Sequence, residues 1–362
     1  MEKQNTYVPP IVFHPGETLE EKLEEMGMGH KEFSIRTNKP EKTITAIIKG
    51  ESSITPDMAV QFENVTKIPA GFWLRRQRSY DEYIVREKHK EVIEQAIPWA
   101  KSFPITAMIK KGWLPQVKTM SEKTAAVLSF FGLANHVAWE NYYFNQQLKV
   151  AFRISLQSTN EPYAISSWLR KGELQAAELD ANVYVEKKFK EALPKLKTIM
   201  AKHPDNFFNQ LQCICLEAGV KVVHTPCLPK APISGSTRWL NDTPLIQLTG
   251  RYNRNDSFWF TFFHEAGHIL LHGKKDVFLE QVTYSDKDQI KEKQADDFAI
   301  KWTLTQEEEN EINTTMPLNE QMIQRFAEKF NTHPAIIVGR FQHKKLISYA
   351  LFKKYFAPVI FD

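Results

Sequence analysis

The stretch that most limits how this chain can fold is residues 256–272, "DSFWFTFFHEAGHILLH". Its first part, "DSFWFTFF", is continuously apolar and aromatic without a breaker, and His264, Glu265, His268 and His272 then punctuate the run at regular spacing. At 3.6 residues per turn, histidines four apart lie on one slowly drifting stripe, so the run reads as a helix from about Trp259 to about Leu271. The following "HGKKD" offers a glycine stop at Gly273 and cations for the helix C-terminus. Such a helix either sits half-buried with polar residues on one side or carries a metal site. An H-E-x-x-H pattern has only three set positions and arises by chance in roughly one chain in a hundred of this length, so the pattern needs its surroundings to count.

The surroundings favour the metal. Two imidazoles one turn apart, His264 and His268, can share one tetrahedral zinc ion at about 2.0 to 2.1 Å, while Glu265 between them reaches a water as general base. His272 lies about 12 Å along the axis from His264, too far to share the same ion without a break in the helix. Ile269, Leu270 and Leu271 fill that gap, so His272 is expected to support a ligand or the fold from outside the metal. Strand-like runs, "GVKVVHTPCL" and "PLIQLTGRY", precede the helix on either side of "PISGSTRWLND". Strands followed by an HExxH helix is the order of a zincin, in which a substrate can add as a strand beside the cleft.

Upstream the pattern is helical. "HPGETLEEKLEEMGM" places Leu19, Leu23 and Met26 at helical spacing. "GHKEFSIRTN", "KPEKTITAIIKG" and "TPDMAVQFENVT" each offer a short helix, with Gly50 as a stop and Thr55–Pro56 as a cap and first-turn pair. Between about 84 and 200, "EVIEQAIPWAKSFPITAMIKKG", "TAAVLSFFGL", "HVAWENYYFNQQLKVAFR" and "AISSWLRKGELQAAELD" repeat apolar residues at three and four spacing, with Pro and Gly expected only at the edges, and Trp139 and Trp168 expected in a core. The tail "NEQMIQRFAEKFNTHPAIIVGRFQHKKL" reads as two helices, the second opened by Pro334.

Two resemblances attach to these residues. "PGETLEEKLEEMGMGHKEF", "IIKGESSITPDMAVQF" and "GFWLRRQRSYDEY" resemble the HigA/VapI antitoxin branch of the Xre-type helix-turn-helix family, over residues 14 to about 83. That resemblance implies a third helix, about Pro40 to Lys49, in the major groove of a DNA operator, with Lys39, Lys42, Thr43, Thr45 and Lys49 facing it and a homodimer possible through the same module. Charge agrees locally: residues 11–80 hold ten Lys or Arg against ten Asp or Glu, but residues 31–49 hold five against two, which is where a phosphate-facing edge belongs. Thr37 and Lys39 depart from the family, which usually has apolar residues there.

The second resemblance is longer. "SGSTRWLNDTPLIQLTGRYNRNDSFWFTFFHEAGHILLHGKK", "VFLE" and "EKQADDFAIKW" resemble the ImmA/IrrE metallopeptidases, whose downstream E-x-x-A-x-x-F-A motif implies Glu292 as third metal ligand. Spacing alone cannot choose between Glu292 and Asp296, one turn apart; the motif and the longer arm favour Glu292, leaving Asp296 to orient a ligand. The family implies cleavage of a regulatory protein, as in a stress or mobile-element response. His272 and Tyr284 are candidate oxyanion donors.

The expected fold is therefore α+β: a helix-turn-helix bundle over 1–83, a helical middle region over 84–203, a zincin-like domain with a small sheet over 204–315, and C-terminal helices over 316–362. The alternative is a repressor or antitoxin whose zinc domain senses or binds a partner without turnover; Glu265 argues for catalysis, since a structural zinc site has no use for a general base. No run of eighteen apolar residues exists and "MEKQNTYVPP" has no signal-peptide pattern, so a cytoplasmic protein with no membrane contact is expected. Three cysteines, Cys213, Cys215 and Cys227, cannot all pair, which argues against a secreted disulfide scaffold. With His224 they could hold a second metal, but "LQCIC" reads better as buried small residues.

Overall fold

The computed structural model describes residues 12–142, 162–229, 231, 233–272, 274, 278–279 and 286–361. The chain divides into two compact units, Met1–Gln95 and Ala96–Asp362, and the class is α+β as the sequence implies.

In the first unit, α1 (Pro15–Glu25), α2 (His30–Arg36), α3 (Glu41–Ile48) and α4 (Pro56–Thr66) precede α5 (Ala70–Ala100). Local chemistry sets the ends. His14 caps α1 by accepting from the Gly16 amide, and Thr55 caps α4 by accepting from Met58. Gly50, at φ 74°, closes α3 with Glu51 N–H donating to Ala46 O and Gly50 N–H to Ile47 O, which satisfies two orphan carbonyls. Apolar residues at three and four spacing then meet: Leu19 and Leu23, Phe33, Ile44 and Ile47, Phe62 and Trp73 form one core. Thr37, polar where an apolar residue would be usual, is buried but donates to Phe33 O at 2.8 Å, so the turn after α2 holds without distortion at that hydroxyl.

The second unit takes the end of α5, then α6 (Ile105–Lys110), α7 (Met120–Phe131), α8 (His136–Trp139), α9 (Pro162–Ala177), α10 (Glu186–Lys202) and α11 (Phe207–Glu217). Trp139 and Trp168 are core residues, with Trp99, Phe103 and Phe131 around them. Pro98 and Gly172 lie inside helices, where only edge positions were expected. Pro98 has no amide to donate back to Glu94, and α5 ends two residues later. Gly172 is needed: a Cβ there would come within 2.1 Å of the Gln247 side chain.

That glutamine belongs to a four-stranded sheet of order β1-β3-β2-β4, made of β1 (Lys221–His224), β2 (Gly235–Leu240), β3 (Thr243–Leu248) and the two-residue β4 (Phe278–Leu279). β1 runs parallel to β3, whereas β2 is antiparallel to both β3 and β4. β2 is a correction to the sequence reading, which placed strands only on either side of it. Its Ser236 and Arg238 are polar yet buried against α9: Arg238 donates to Gln247 Oε1 and to Leu169 O, and Gln247 donates to Trp168 O. The alternate residues Gly235 and Thr237 face the opposite way, toward α12 (Asn255–Leu271).

Beyond α12 come α13 (Asp286–Thr303), α14 (Gln306–Asn313), α15 (Glu320–Phe330) and α16 (Pro334–His343). Phe258, Trp259, Phe262, Phe263 and Ile269 of α12 share one core with Val222 and Ile246 of the sheet and Ile336, Ile337 and Phe341 of α16. Each large side chain so buried contributes about 1.5–3 kcal/mol, which offsets the cost of burying polar groups on the same helix. "LQCIC" is helical, so residues two apart point to different sides: Cys215 is buried, but Cys213 is exposed, against the expectation that both are inside. No helix among the described residues is long and apolar enough to cross a membrane.

Candidate metal centre

α12 begins four residues before the expected Trp259, at Asn255, with Arg254 extended ahead of it and Asp256 in its first turn. An acidic first turn suits the positive end of the helix, a signal the apolar spacing does not carry. The helix ends at Leu271, with His272 extended; Gly273 lies outside the described residues. On it His264, Glu265 and His268 are 2%, 0% and 2% exposed, so each needs a polar partner.

α13 supplies two of them. It packs closely on α12 where Gly267 lies under Phe298; a Cβ at 267 would meet the Phe298 Cβ at 3.1 Å. Glu292 and Asp296 then fall on opposite sides of the His264 ring. Asp296 Oδ1 is 2.9 Å from His264 Nδ1, and Glu292 Oε2 is 3.2 Å from His264 Nε2. Glu292 Oε1 is 3.6 Å from His268 Nε2, is buried and hydrogen-bonds to nothing among the described residues. His264, His268 and Glu292 are the group whose donor atoms converge within 4.8 Å. The second cluster considered around the cysteines does not assemble among the described residues.

The outer hydrogen bonds set the tautomers. His264 Nδ1–H donates to Asp296, which leaves Nε2 as a lone pair. His268 Nδ1 is 2.9 Å from His272 Nδ1, and His272 Nε2 is 3.0 Å from Gln294 Oε1. With His272 donating to Gln294 and accepting from His268, the His268 Nε2 is also a lone pair, 3.0 Å from that of His264. Two lone pairs and a carboxylate turned on one point repel unless a cation lies between them. The donor set suits zinc: two imidazole nitrogens on a tetrahedral ion stand about 3.3 Å apart. Burial above all, with the neighbouring His264, His272 and Lys291 acting the same way, holds the His268 pKa well below its ordinary value, which favours the neutral, ligating imidazole.

Glu265 is held separately. Its Oε2 accepts from Thr237 Oγ1 at 2.7 Å, and the same hydroxyl lies 3.0 Å from the Glu265 carbonyl. Gly235, on the same strand face, lets the sheet approach: a Cβ there would meet Glu265 Oε1 at 2.7 Å. Sequence reasoning missed Thr237, Gly235 and Gln294. A two-residue "ND" turn between "STRWL" and "TPLIQL", with Asn241 at φ 56°, was the available signal for β2. Gln294, inside a charge-rich helix, had none. His272, offered as an oxyanion donor, has both ring nitrogens committed to His268 and Gln294. Tyr284, the other candidate, lies outside the described residues.

Residues 215–341, which carry all of this geometry, match the peptidase family described as the IrrE N-terminal-like domain. Over these residues, about a third of the chain, the protein is similar to a metallopeptidase family. The matched residues run from β1 into α16 and take in the whole donor cluster and β2, whose Gly235 and Thr237 meet Glu265. No curated protein matches the chain. Among solved structures, a putative antidote protein of a plasmid maintenance system from Nostoc punctiforme is 28% identical, covering 24% of this chain and 93% of its own, with TM-score 0.23. A HigA-family addiction module antidote protein from Coxiella burnetii is 32% identical, covering 23% of this chain and 91% of its own, with TM-score 0.22.

The DNA-facing residues expected on the N-terminal module are placed as follows. Lys39 lies just before α3 and is engaged with Asp57 at 2.5 Å, so its charge is already partly compensated. Lys42 and Lys49 are exposed at the two ends of α3, and Thr43 and Thr45 are partly exposed, with Thr45 donating to Glu41 O. Ile44, Ile47 and Ile48 take the opposite face.

Proposed function

We propose that this chain is a cytoplasmic DNA-binding regulator whose IrrE-like domain is a zinc-dependent endopeptidase. The observation that carries the reading is the convergence of His264, His268 and Glu292 beside a buried, separately supported Glu265. Zinc, held by those three side chains, would lend Lewis acidity to a water and to the scissile carbonyl. Glu265 takes the water's proton as the water oxygen attacks the carbonyl carbon, then delivers it to the departing amine as the C–N bond breaks. Thr237 holds the Glu265 carboxylate in place, while Asp296 and the His272–Gln294 pair keep the two imidazoles in their ligating tautomers. In this reading residues 1–83 provide operator binding and a possible dimer contact, 204–315 the peptidase, and 84–203 and 316–362 its support.

The substrate class proposed is a regulatory protein, as in a stress or mobile-element response. Cells carrying the active chain and cells carrying Glu265→Gln should differ in new protein termini mapped by mass spectrometry. Identical sets of termini would instead support a domain that senses or binds a partner without turnover.

Operator binding has its own test. Lys42→Glu combined with Lys49→Glu reverses two exposed charges on α3, so binding to the chain's own promoter fragment should weaken and its logarithmic salt slope flatten by about 2. Unchanged binding and slope would remove α3 from the interface.

A further inference from the structure

Next to the metal centre is a pocket of about 370 Å³ between α12, α13 and α16. It adjoins the centre through two residues. Asp296 both lines it and holds His264, and Thr261 lines it one turn before Glu265. Phe260 forms an apolar wall, and the half-buried Arg340 guanidinium lies 5.9 Å from that ring. At Gly339 the absent side chain keeps Asp256 in place: a Cβ there would meet Asp256 Oδ2 at 2.2 Å.

Arg340 makes no close ion pair among the described residues, although the Glu309 and Asp296 carboxylates lie near enough to act on its charge. Each nearby carboxylate has a nearer partner: Asp256 pairs with Arg254 at 2.7 Å and Glu309 with Lys344, while Asp296 accepts from the neutral His264 ring at 2.9 Å and keeps its charge. Among the described residues Arg340 has neither an ion pair nor a side-chain hydrogen bond beyond its position over Phe260. A partly desolvated cation with a five-donor fork, facing an open pocket of small-ligand size, is arranged to receive a planar anion.

We propose that this pocket receives a carboxylate-bearing residue adjoining the scissile bond, with Arg340 as the group that selects it. The inference rests on the zinc-peptidase reading for the identity of the guest as part of a peptide. The carboxylate can be an acidic side chain or the chain terminus. A basic side chain is disfavoured by like charge, and an amide forfeits the charge-assisted hydrogen bonds.

The test is equilibrium binding to the full chain, followed on arginine side-chain NMR signals, with three probes: acetyl-glutamate amide, acetyl-alanine and acetyl-glutamine amide. At least one of the two carboxylates should bind about tenfold or more tightly than the glutamine amide. Whichever is tighter identifies the side chain or the terminus as the source. Arg340→Gln should erase the difference; Arg340→Met, matched in length, serves if the first variant fails to melt cooperatively. No preference for a carboxylate, or a preference that survives loss of the guanidinium, overturns the proposal. Because binding needs no turnover, this outcome is read separately from any failure of the peptidase reading, which shows in the comparison of protein termini.

Discussion

Glu265→Gln is expected to bring peptide cleavage down by about 100-fold or more while the metal content of the purified protein stays unchanged. General acid–base groups of this kind typically contribute 10²- to 10⁴-fold, and the amide cannot accept the water's proton. The substitution is otherwise mild. A glutamine oxygen still accepts from the Thr237 hydroxyl, 2.7 Å from the native carboxylate, and the side-chain volume in the pocket under Gly235 hardly changes. The donor atoms of His264, His268 and Glu292 do not depend on residue 265, so metal analysis and activity should separate. Cleavage of an identified substrate at the native rate would remove Glu265 from its assigned role; loss of metal along with activity would make it structural.

Glu292→Ala and Asp296→Ala should behave very differently, although the two residues are one helical turn apart. Glu292 has one oxygen 3.2 Å from His264 Nε2 and the other 3.6 Å from His268 Nε2, so its removal leaves two imidazoles to hold the ion. That variant is expected to purify with little zinc and no activity, and with a lower melting temperature in zinc-containing buffer than the parent, since binding free energy adds to folding stability. Asp296 touches only the far nitrogen of His264, at 2.9 Å. Its loss frees the ring to turn and should weaken metal affinity or activity about 10- to 100-fold without emptying the site in zinc-containing buffer. Metal analysis of the two variants side by side decides the assignment, and the reverse ranking would make Asp296 the ligand.

What could be read in advance was what acts over one or two helical turns. The HExxH run, the Thr55–Pro56 start, the Gly50 stop and the apolar spacing of Leu19, Leu23, Ile44 and Ile47 each work through helix geometry, which is local and the same in every protein. The errors share a cause as well. β2 does not show in the sequence pattern because Ser236 and Arg238 have the character of surface residues; their burial is made acceptable by Gln247 and the carbonyl of Leu169, partners nine and sixty-nine residues away. "LQCIC" has the alternation of a strand, which favours Cys213 inside, whereas its neighbours make it a helix that turns Cys213 to the surface.

By itself, then, the sequence determined the helix that carries His264, Glu265 and His268, because residues four apart on a helix must share a face, whereas Glu292 as third donor came from the resemblance to the ImmA/IrrE motif, with Asp296 one turn away left open by spacing. Only the tertiary structure decided how those two carboxylates divide. The close packing of α13 over Gly267 puts Glu292 on the Nε2 side of His264 and Asp296 on the Nδ1 side, an outcome that depends on how two helices approach each other. The same is true of Thr237 behind Glu265, Gln294 behind His272 and Arg340 beside the centre. Each comes from a different element, and no spacing along the chain records which side chains will meet once those elements pack.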